Sequence, residues 1–318
     1  MTDVRVGIVS WNTAELLDRC LAALPAALDG LDAEIVVVDN ASSDESVARA
    51  STHPVVVCPA SQNLGYAKAM NMALADTGAP VLVALNPDTL PAPGSLAALV
   101  ACLHRHPEAA LVAPRLLNED GTEQHSVYRF PSVRLALVAN LLPRVAQGGA
   151  VGRRWWLEGQ ARHDRPGPVD WAVGAVHCIR ADSLDGAPYR ERWFMYVEDL
   201  DLCWRLRQRG WSVWFEPQVS IVHVGDAAGS QAWGGMRTAR WLDATYDWYS
   251  SERGPWATRA YALLNLVGAG TRLALLRAVD GRGRRAGVRR WLADQLRVSV
   301  PVHARALVRP PAPGHPPP

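Results

Sequence analysis

A chain of 318 residues, 49% of them apolar, has room for one large domain with a sizeable core plus a substantial extension. A formal net charge of +2 is too balanced for a nucleic-acid binder, so no nucleic-acid partner is expected. The five cysteines are scattered, with no C-x-x-C or Cys/His metal spacing, which points away from a structural zinc site and fits a reducing, cytoplasmic compartment.

Met1 to Arg5 runs straight into a strand, with no basic-then-apolar leader, and no apolar run reaches the ~20 residues of a spanning helix; neither a signal peptide nor a transmembrane segment is expected. Val4 to Val9 reads as a strand ending in Ser10-Trp11-Asn12-Thr13, with Thr13 positioned to cap the next helix. Leu16, Leu17, Cys20, Leu21, Leu24 and Leu28 then recur at helical spacing. Glu34 to Val38 is a second strand, stopped by Asp39-Asn40-Ala41-Ser42-Ser43-Asp44, where Ser43 or Asp44 can cap a helix through Arg49. Val55 to Val57 is a third, short strand, and Asn63-Leu64-Gly65-Tyr66-Ala67 opens a helix through Ala75.

Val81 to Leu85 is an aliphatic run of the kind buried on both faces of a parallel sheet, and it stops at Asn86-Pro87-Asp88 because Pro87 cannot donate to a ladder. Asp88 would then sit at the C-terminal edge of the sheet, where open α/β folds bind ligands, as a hard oxygen donor for Mg²⁺ or Mn²⁺ beside a diphosphate. The same three residues also make an ordinary turn. Pro93-Gly94-Ser95 starts a helix to about His104. Strands and helices alternating at this pitch predict a doubly wound sheet with right-handed crossovers. Neither G-x-G-x-x-G nor a P-loop is present, which argues against a dinucleotide oxidoreductase and a P-loop NTPase.

Residues 115 to 168, rich in Arg, Pro and Gly around 144–154 and 162–168, read as a long connection over the site. Val169 to Ile179 reads as one strand with a Gly174-Ala175 step, serving either close approach of a ligand or plain packing. The second acidic centre is Trp193-Phe194-Met195-Tyr196-Val197-Glu198-Asp199-Leu200-Asp201, at the start of a helix carrying Leu202, Cys203 and Leu206 on one face. Three carboxylates there are either dipole-stabilising residues, neutralised by Arg205 and Arg207, or a crowded group able to act as a base. Trp211 to Glu216 and Val219 to Gly225 read as strands, and His223 at the end of the second is either a metal ligand or an ordinary polar residue. Thirteen Trp against three Phe suit sugar stacking, a membrane interface or simply a Trp-rich core.

From Ala260 the chain turns to Leu, Ala and Arg, with Arg282, Arg284, Arg285, Arg289, Arg290 and Arg297. Such a basic amphipathic segment suits either the surface of an anionic bilayer or a solvated helical extension. The organisation expected is an α/β domain over 1–230, a helical basic extension over 231–308 and a Pro-rich disordered tail over 309–318.

Taken together, Ser10-Trp11-Asn12, Val38 to Asp44, Asn63 to Ala67, Asn86-Pro87-Asp88, Gly174-Ala175, Phe194 to Asp201 and His223 resemble the family 2 glycosyltransferases, closest to the bacterial rhamnosyltransferase-like branch that builds polysaccharide on lipid carriers. Any one motif is weak; seven in order over residues 4–230 are specific. The resemblance implies a GT-A fold, a doubly wound mixed sheet flanked by helices with a C-terminal helical extension. It implies inverting transfer of a sugar, rhamnose among the candidates, from a dTDP- or UDP-linked donor to a glycan or polyprenyl-diphosphate-linked acceptor, at the cytoplasmic face of the membrane. By the same resemblance Ser10, Trp11, Asn12, Asp39, Asn40, Asn63, Lys68, Asn86, Pro87 and Asp88 would bind the nucleotide sugar, with Asp39 on the base. Asp88 and His223 would hold a divalent Mg or Mn ion. Asp199 would be the general base with Glu198 beside it, and Trp171, Gly174, Ala175 and Glu198 would shape the acceptor site. The chain departs from the D-x-D pattern of the wider group by carrying Asn86 in place of its first Asp, which leaves one strong carboxylate. Rival readings are a non-catalytic nucleotide- or sugar-binding module, a transferase acting on a small natural product, and a nucleotidyltransferase. The last expects a Gly-rich basic loop that Ser10 to Thr13 lacks.

Overall fold

The structure is a computed structural model and describes residues 2–141, 165–225, 236–278 and 286–312. The Arg-rich stretch 144–154, residues 162–164, Arg282, Arg284 and Arg285, and the tail from 313 lie outside the described residues. The chain forms two compact units, Met1–Phe130 with Glu158–Gln231, and Pro131–Leu157 with Ala232–Pro318.

The first unit is built on a mixed sheet. Its main strands are β1 (Val4–Ser10), β2 (Ala33–Asp39), β3 (Val56–Pro59), β4 (Val81–Leu85), β5 (Thr89–Pro91) and β6 (Ala109–Leu117). After the short strands β7 (Glu123–Gln124), β8 (Val127–Tyr128), β9 (Gly167–Val169) and β10 (Trp171–Ala172) come β11 (Val176–Arg180) and β12 (Ser212–His223). The order is β3-β2-β1-β4-β11-β6-β12-β5, with β7 on β6 and β9 on β12. β1 to β4 run parallel, whereas β11 is antiparallel to both β4 and β6.

All seven residues of β1 and all five of β4 are buried, which is why these strands show no polar alternation. Helices α1 (Ala14–Leu28) and α4 (Ser95–Arg105) pack their apolar stripes, Leu17, Leu21, Leu24 and Leu96, Leu99, Leu103, into the same core as Val6, Ile8, Val83 and Leu85. Shorter helices α2 (Ser46–Ala50) and α3 (Tyr66–Leu74) complete the βα units, and α6 (Glu198–Gln208) follows β11.

Register fixes what meets at the sheet's edge. Ser10 is opposite Asp39, Ile8 and Val176 are each opposite Leu85, and His223 is opposite Thr89. The ends of β1, β2, β4 and β12 and the start of β11 therefore converge on one side.

Four expectations change. Residues 109–117, left without a strand by the sequence reading, form β6 inside the sheet, and the segment after residue 115 begins as strand rather than loop. Pro114 and Arg115 interrupt an otherwise aliphatic run there. Residues 169–179 are three short strands rather than one, since Val173–Ala175 turn out at the sheet's edge. Residues 212–223 are one strand, with a register irregularity between Glu216 and Ser220 that absorbs Pro217. Thr13 makes no capping bond to its own helix; its hydroxyl pairs with Ser10 Oγ at 2.9 Å, and Asp44 Oδ2 accepts from Ala14 N at 3.0 Å instead.

The second unit contains α5 (Val133–Leu141), α7 (Arg237–Ala278, broken at Gly254 where φ is 82°) and α8 (Ala286–Val308). Tyr246, Ala262, Val302 and Ala306 form its core, and Tyr246 Oη pairs with His303 Nδ1 at 2.8 Å. No helix among the described residues is long and apolar enough to cross a membrane.

Candidate active site

A cleft of ≈ 250 Å³ opens at this convergence of strand ends. Its lining brings together Trp11, Asn40, Asn63, Asn86, Pro87, Asp88, Gly174, Ala175, Glu198, Asp199 and His223. The two acidic centres, more than a hundred residues apart in sequence, thus share one cavity. Tyr66 stands between them. Burial, and then the charges of Glu198, Asp199 and Asp88, hold its phenol well above the usual range. Its hydroxyl donates to the carbonyl of Gly174 at 3.2 Å.

The Glu198-Asp199 pair is presented by an unusual approach. Tyr196 and Val197 both take left-handed backbone, φ 75° and 74°, immediately before α6. A β-branched residue in that region is an outlier costing on the order of 1–3 kcal/mol, of the kind that clusters at functional sites. The segment is pinned from the other side. Tyr66 N donates to Phe194 O at 2.9 Å, and a Cβ on Gly65 would lie 2.5 Å from that same oxygen.

The three carboxylates of α6 have separate fates. Asp201 is fully buried and takes both nearby guanidiniums, Arg205 Nε at 2.8 Å and Arg190 at 3.2 Å. Arg207 goes instead to Asp170. Neither arginine read as a neutraliser of the whole cluster serves Glu198 or Asp199. Asp199 accepts from Gly174 N at 3.0 Å through Oδ2 and from Leu200 N at 2.7 Å through Oδ1. Glu198 Oε2 is buried with no hydrogen-bond partner. Burial pushes Asp199 up to about 6, against the pull of those two N–H groups, and burial together with the Asp199 charge pushes Glu198 up to about 8. A carboxylate oxygen retains a second lone pair after one N–H bond, so Asp199 can still accept a proton.

Gly174 is where space decides: a Cβ there would come within 3.2 Å of Asp199 Cβ. What comes close at the Gly-Ala step is the Asp199 side chain, where a ligand or another backbone was expected. His177, on β11, supports this turn. Burial lowers its pKa to about 4, so it is neutral, with Nε2–H donating to Ala172 O at 3.1 Å and Nδ1 accepting from Tyr189 Oη at 3.1 Å.

At the other centre, Asp88 is 6% exposed. Its carbonyl accepts from Val224 N at 2.9 Å, which ties it to the end of β12. His223 Nε2 lies 3.3 Å from Asp88 Oδ1, but without hydrogen-bond alignment, and Oδ1 stays orphaned, as does Asn86 Oδ1. Two unpartnered oxygens and an imidazole nitrogen from residues lining one cleft are donors of the kind that fit Mg²⁺ or Mn²⁺, with a diphosphate able to supply further oxygens. No cluster of three or more His, Cys, Asp or Glu suited to a metal occurs among the described residues, so such an ion would depend on Asn86 or the nucleotide.

Other residues singled out from the sequence stand outside the lining. Ser10 is fully buried against Thr13. Asn12 Oδ1 accepts from Ser43 N at 2.7 Å and so braces the neighbouring loop. Asp39 accepts from Ser42 N at 3.0 Å through Oδ2 and keeps a buried, unpartnered Oδ1. Lys68 is exposed on α3. Trp171 stacks on Tyr128 at 4.8 Å and donates to Arg129 O. Asn40 and Asn63, by contrast, do line the cleft and form a cross-loop lock, with Asn40 Nδ2 on Asn63 Oδ1 at 2.8 Å and Leu64 N on Asn40 Oδ1 at 2.7 Å. The sequence reading did not single out Gln124 or Tyr189. Neither carries a motif; only the fold brings them near.

The mixed sheet, its flanking helices and the cleft at its edge have the GT-A arrangement. Residues 5–159 match the family described as glycosyl transferase family 2. The chain is 32% identical, over 243 residues covering 70% of it and 76% of the relative, to the N-acetylglucosaminyl-diphospho-decaprenol L-rhamnosyltransferase of Mycobacterium tuberculosis. It is 25% identical over 228 residues, 70% of this chain and 67% of the relative, to the low-salt glycan biosynthesis hexosyltransferase Agl10 of Haloferax volcanii. Among solved structures, the mannosyltransferase PcManGT from Pyrobaculum calidifontis, in complex with GDP-Man and Mn²⁺, aligns with a TM-score of 0.55 at 18% identity, covering 96% of this chain and 87% of that one. The chain belongs to glycosyltransferase family 2 and is a glycosyltransferase.

Proposed function

We propose that this chain moves a sugar, rhamnose first among the candidates, from a dTDP- or UDP-linked donor to a hydroxyl of a polyprenyl-diphosphate-linked glycan, with inversion. The observation that carries this reading is the shared cleft of Asp88 and Asp199. The sugar and the acceptor class follow the printed activity of the 32% identical relative, and the dTDP- or UDP-linked donor follows the motif resemblance. Asp199 removes the proton of the acceptor hydroxyl as its oxygen bonds to the anomeric carbon. The bond from that carbon to the diphosphate oxygen breaks on the opposite face, and the nucleoside diphosphate leaves with the electron pair. Asp88, His223 and the Asn86 carbonyl would hold a divalent Mg or Mn ion, which when bound supplies Lewis-acid stabilisation of the leaving diphosphate. The Mn²⁺ in the mannosyltransferase neighbour supports that assignment. Asp39 would offer its spare Oδ1 to the base, with Trp11 beside the nucleotide. Ser10, Asn12, Asn40 and Asn63 act by fixing the loops, and Gly174 and Ala175 border the acceptor.

A thermal-shift panel of nucleotide sugars, followed by transfer to a polyprenyl-diphosphate GlcNAc acceptor and NMR of the new anomeric centre, tests the reading. An inverted glycoside is expected. Donor binding with no turnover under any acceptor would favour a binding module instead.

The acceptor class also gives the second unit a role, at the cytoplasmic face of the membrane. On α7, Trp256, Leu263, Val267 and Leu275 are 79%, 47%, 45% and 60% exposed, at helical spacing. From Arg253 to Ala278 the sequence has four arginines and no acid. An exposed apolar stripe with only positive flanks suits an anionic bilayer. Co-sedimentation with phosphatidylglycerol vesicles, and its loss in L263E/V267E, is the expected result; equal recovery with and without vesicles would remove the role.

A further inference from the structure

His223 faces Asp88 through Nε2, and what that nitrogen carries decides whether the pair can take a cation. A protonated Nε2 has no lone pair to offer a cation; a bare Nε2 is a ligand. The answer is written in a chain of hydrogen bonds whose direction is set far from the cleft. Asp120 is an exposed carboxylate, which can only accept when ionised. Thr122 donates its hydroxyl to Asp120 Oδ1 at 2.5 Å. That leaves the Thr122 oxygen as acceptor for Asn118 Nδ2 at 2.8 Å, which turns Asn118 Oδ1 toward Gln124. Gln124 Nε2 donates to this oxygen at 2.7 Å and to the carbonyl of His223 at 2.6 Å. Both donors of the Gln124 amide point away from the ring, so its Oε1, 2.9 Å from His223 Nδ1, can only accept. The proton must be on Nδ1.

We propose that Gln124, polarised by the Asn118–Asp120–Thr122 turn, is a positioning residue that holds His223 as its Nδ1–H tautomer and so keeps the Nε2 lone pair on the Asp88 side for a divalent cation. Two further observations agree. β7, only two residues long, pairs Gln124 with Leu116 on β6, which fixes its backbone beside the end of β12. Gly225, at φ 78°, brings the chain back against the Gln124 amide, where a Cβ would lie 3.4 Å from Nε2. Outer partners of metal-ligating histidines act in this way, and removing one costs about 10–100-fold in metal affinity.

The inference rests on reading Asp88 and His223 as metal ligands, so the first measurement is made without metal. Imidazole ¹⁵N shifts of His223 in the full-length protein, assigned with H223Q, should show Nδ1 protonated and Nε2 bare. A wild-type ring protonated on Nε2 would overturn the inference with no variant needed. In Q124L the preference should be lost, while circular dichroism stays native; an unchanged tautomer in folded Q124L would also overturn it. Mn²⁺ titrations followed by electron paramagnetic resonance, with dTDP and UDP present in separate arms, should then show affinity about 10–100-fold weaker in Q124L, and no further loss when Q124L is added to H223A. Equal Mn²⁺ affinity in wild type and Q124L would refute the link to the cation. No Mn²⁺ binding by the wild type, with the Nδ1–H tautomer intact, would instead remove the metal reading itself.

Discussion

Gly174 hands its backbone N–H to the carboxylate of Asp199 at 3.0 Å, and the hydrogen in place of its side chain is what lets that carboxylate come so close. One residue thus supplies both a bond and a gap. Gly174→Ala keeps the N–H but puts a methyl 3.2 Å from Asp199 Cβ, tighter than ordinary contact. Turnover should fall by about 10–100-fold from a shift of the base by a fraction of an ångström, with donor KM little changed. Steady-state kinetics at saturating donor measures it; a normal kcat would mean the carboxylate position is not limiting.

Asp199→Asn preserves shape and both backbone bonds in outline but removes the proton acceptor. We expect kcat to drop about 10²–10⁴-fold while nucleotide affinity by calorimetry stays within a few-fold. Near-normal transfer would move the base elsewhere in the cleft.

The pH behaviour has a definite sign. As the proposed base, Asp199 would have to be ionised, and burial raises it to about 6, so the rate should climb as pH rises through that value. Stability runs the other way. A carboxyl whose folded pKa is raised contributes its stability below its unfolded pKa, and that contribution is lost as pH rises through the folded pKa. For Glu198 the window lies between its ordinary 4.5 and about 8. Glu198→Gln, which cannot ionise, should therefore melt higher than wild type above that window and match it below. Identical melting curves across the window would show that Glu198 feels no such penalty.

Asp88→Ala should weaken binding of dTDP or UDP chiefly when Mn²⁺ is present, because the side chain would act through the ion. Paired titrations with Mn²⁺ and with chelator read the difference. An equal loss in both arms would assign Asp88 to direct contact with the nucleotide.

Asp201 belongs to stability rather than chemistry. Asp201→Asn leaves Arg205, whose guanidinium also reaches Pro188 O, without its anionic partner in a buried position. The expected cost is about 3–5 kcal/mol in urea unfolding, with activity per folded molecule retained. A fall in kcat larger than the loss of folded protein would bring Asp201 into the reaction.

Much of the site could be read in advance because strand ends announce themselves. Asp39, Asn86 to Asp88 and His223 each follow an aliphatic run, and β1, β2, β4 and β12, running the same way in the sheet, carry such residues to one edge. Glu198 and Asp199 were visible as surplus charge at a helix start. What stayed hidden depends on pairing across long sequence distance. Nothing local says that Asp201, and not its neighbours, will collect two arginines. β6 was missed because Pro114 and Arg115 look like a strand's end, although inside the sheet Pro114 is buried opposite Glu216. Trp171, an acceptor-site candidate by resemblance, is taken up by Tyr128, and Trp193, Trp204 and Trp248 are buried too, whereas Trp241, Trp256 and Trp291 are exposed, so only part of the tryptophan excess is core.

Asp44 receives Ala14 N on one oxygen and Ser46 N on the other, so one side chain starts two helices. The segments around 11–14 and 42–46 are consequently a single inherited part. Swapping either alone into a homologous scaffold, as in grafting to change base preference, would strand the first N–H of α1 and splay both mouths of the fold. A graft that carries the two together keeps the joint.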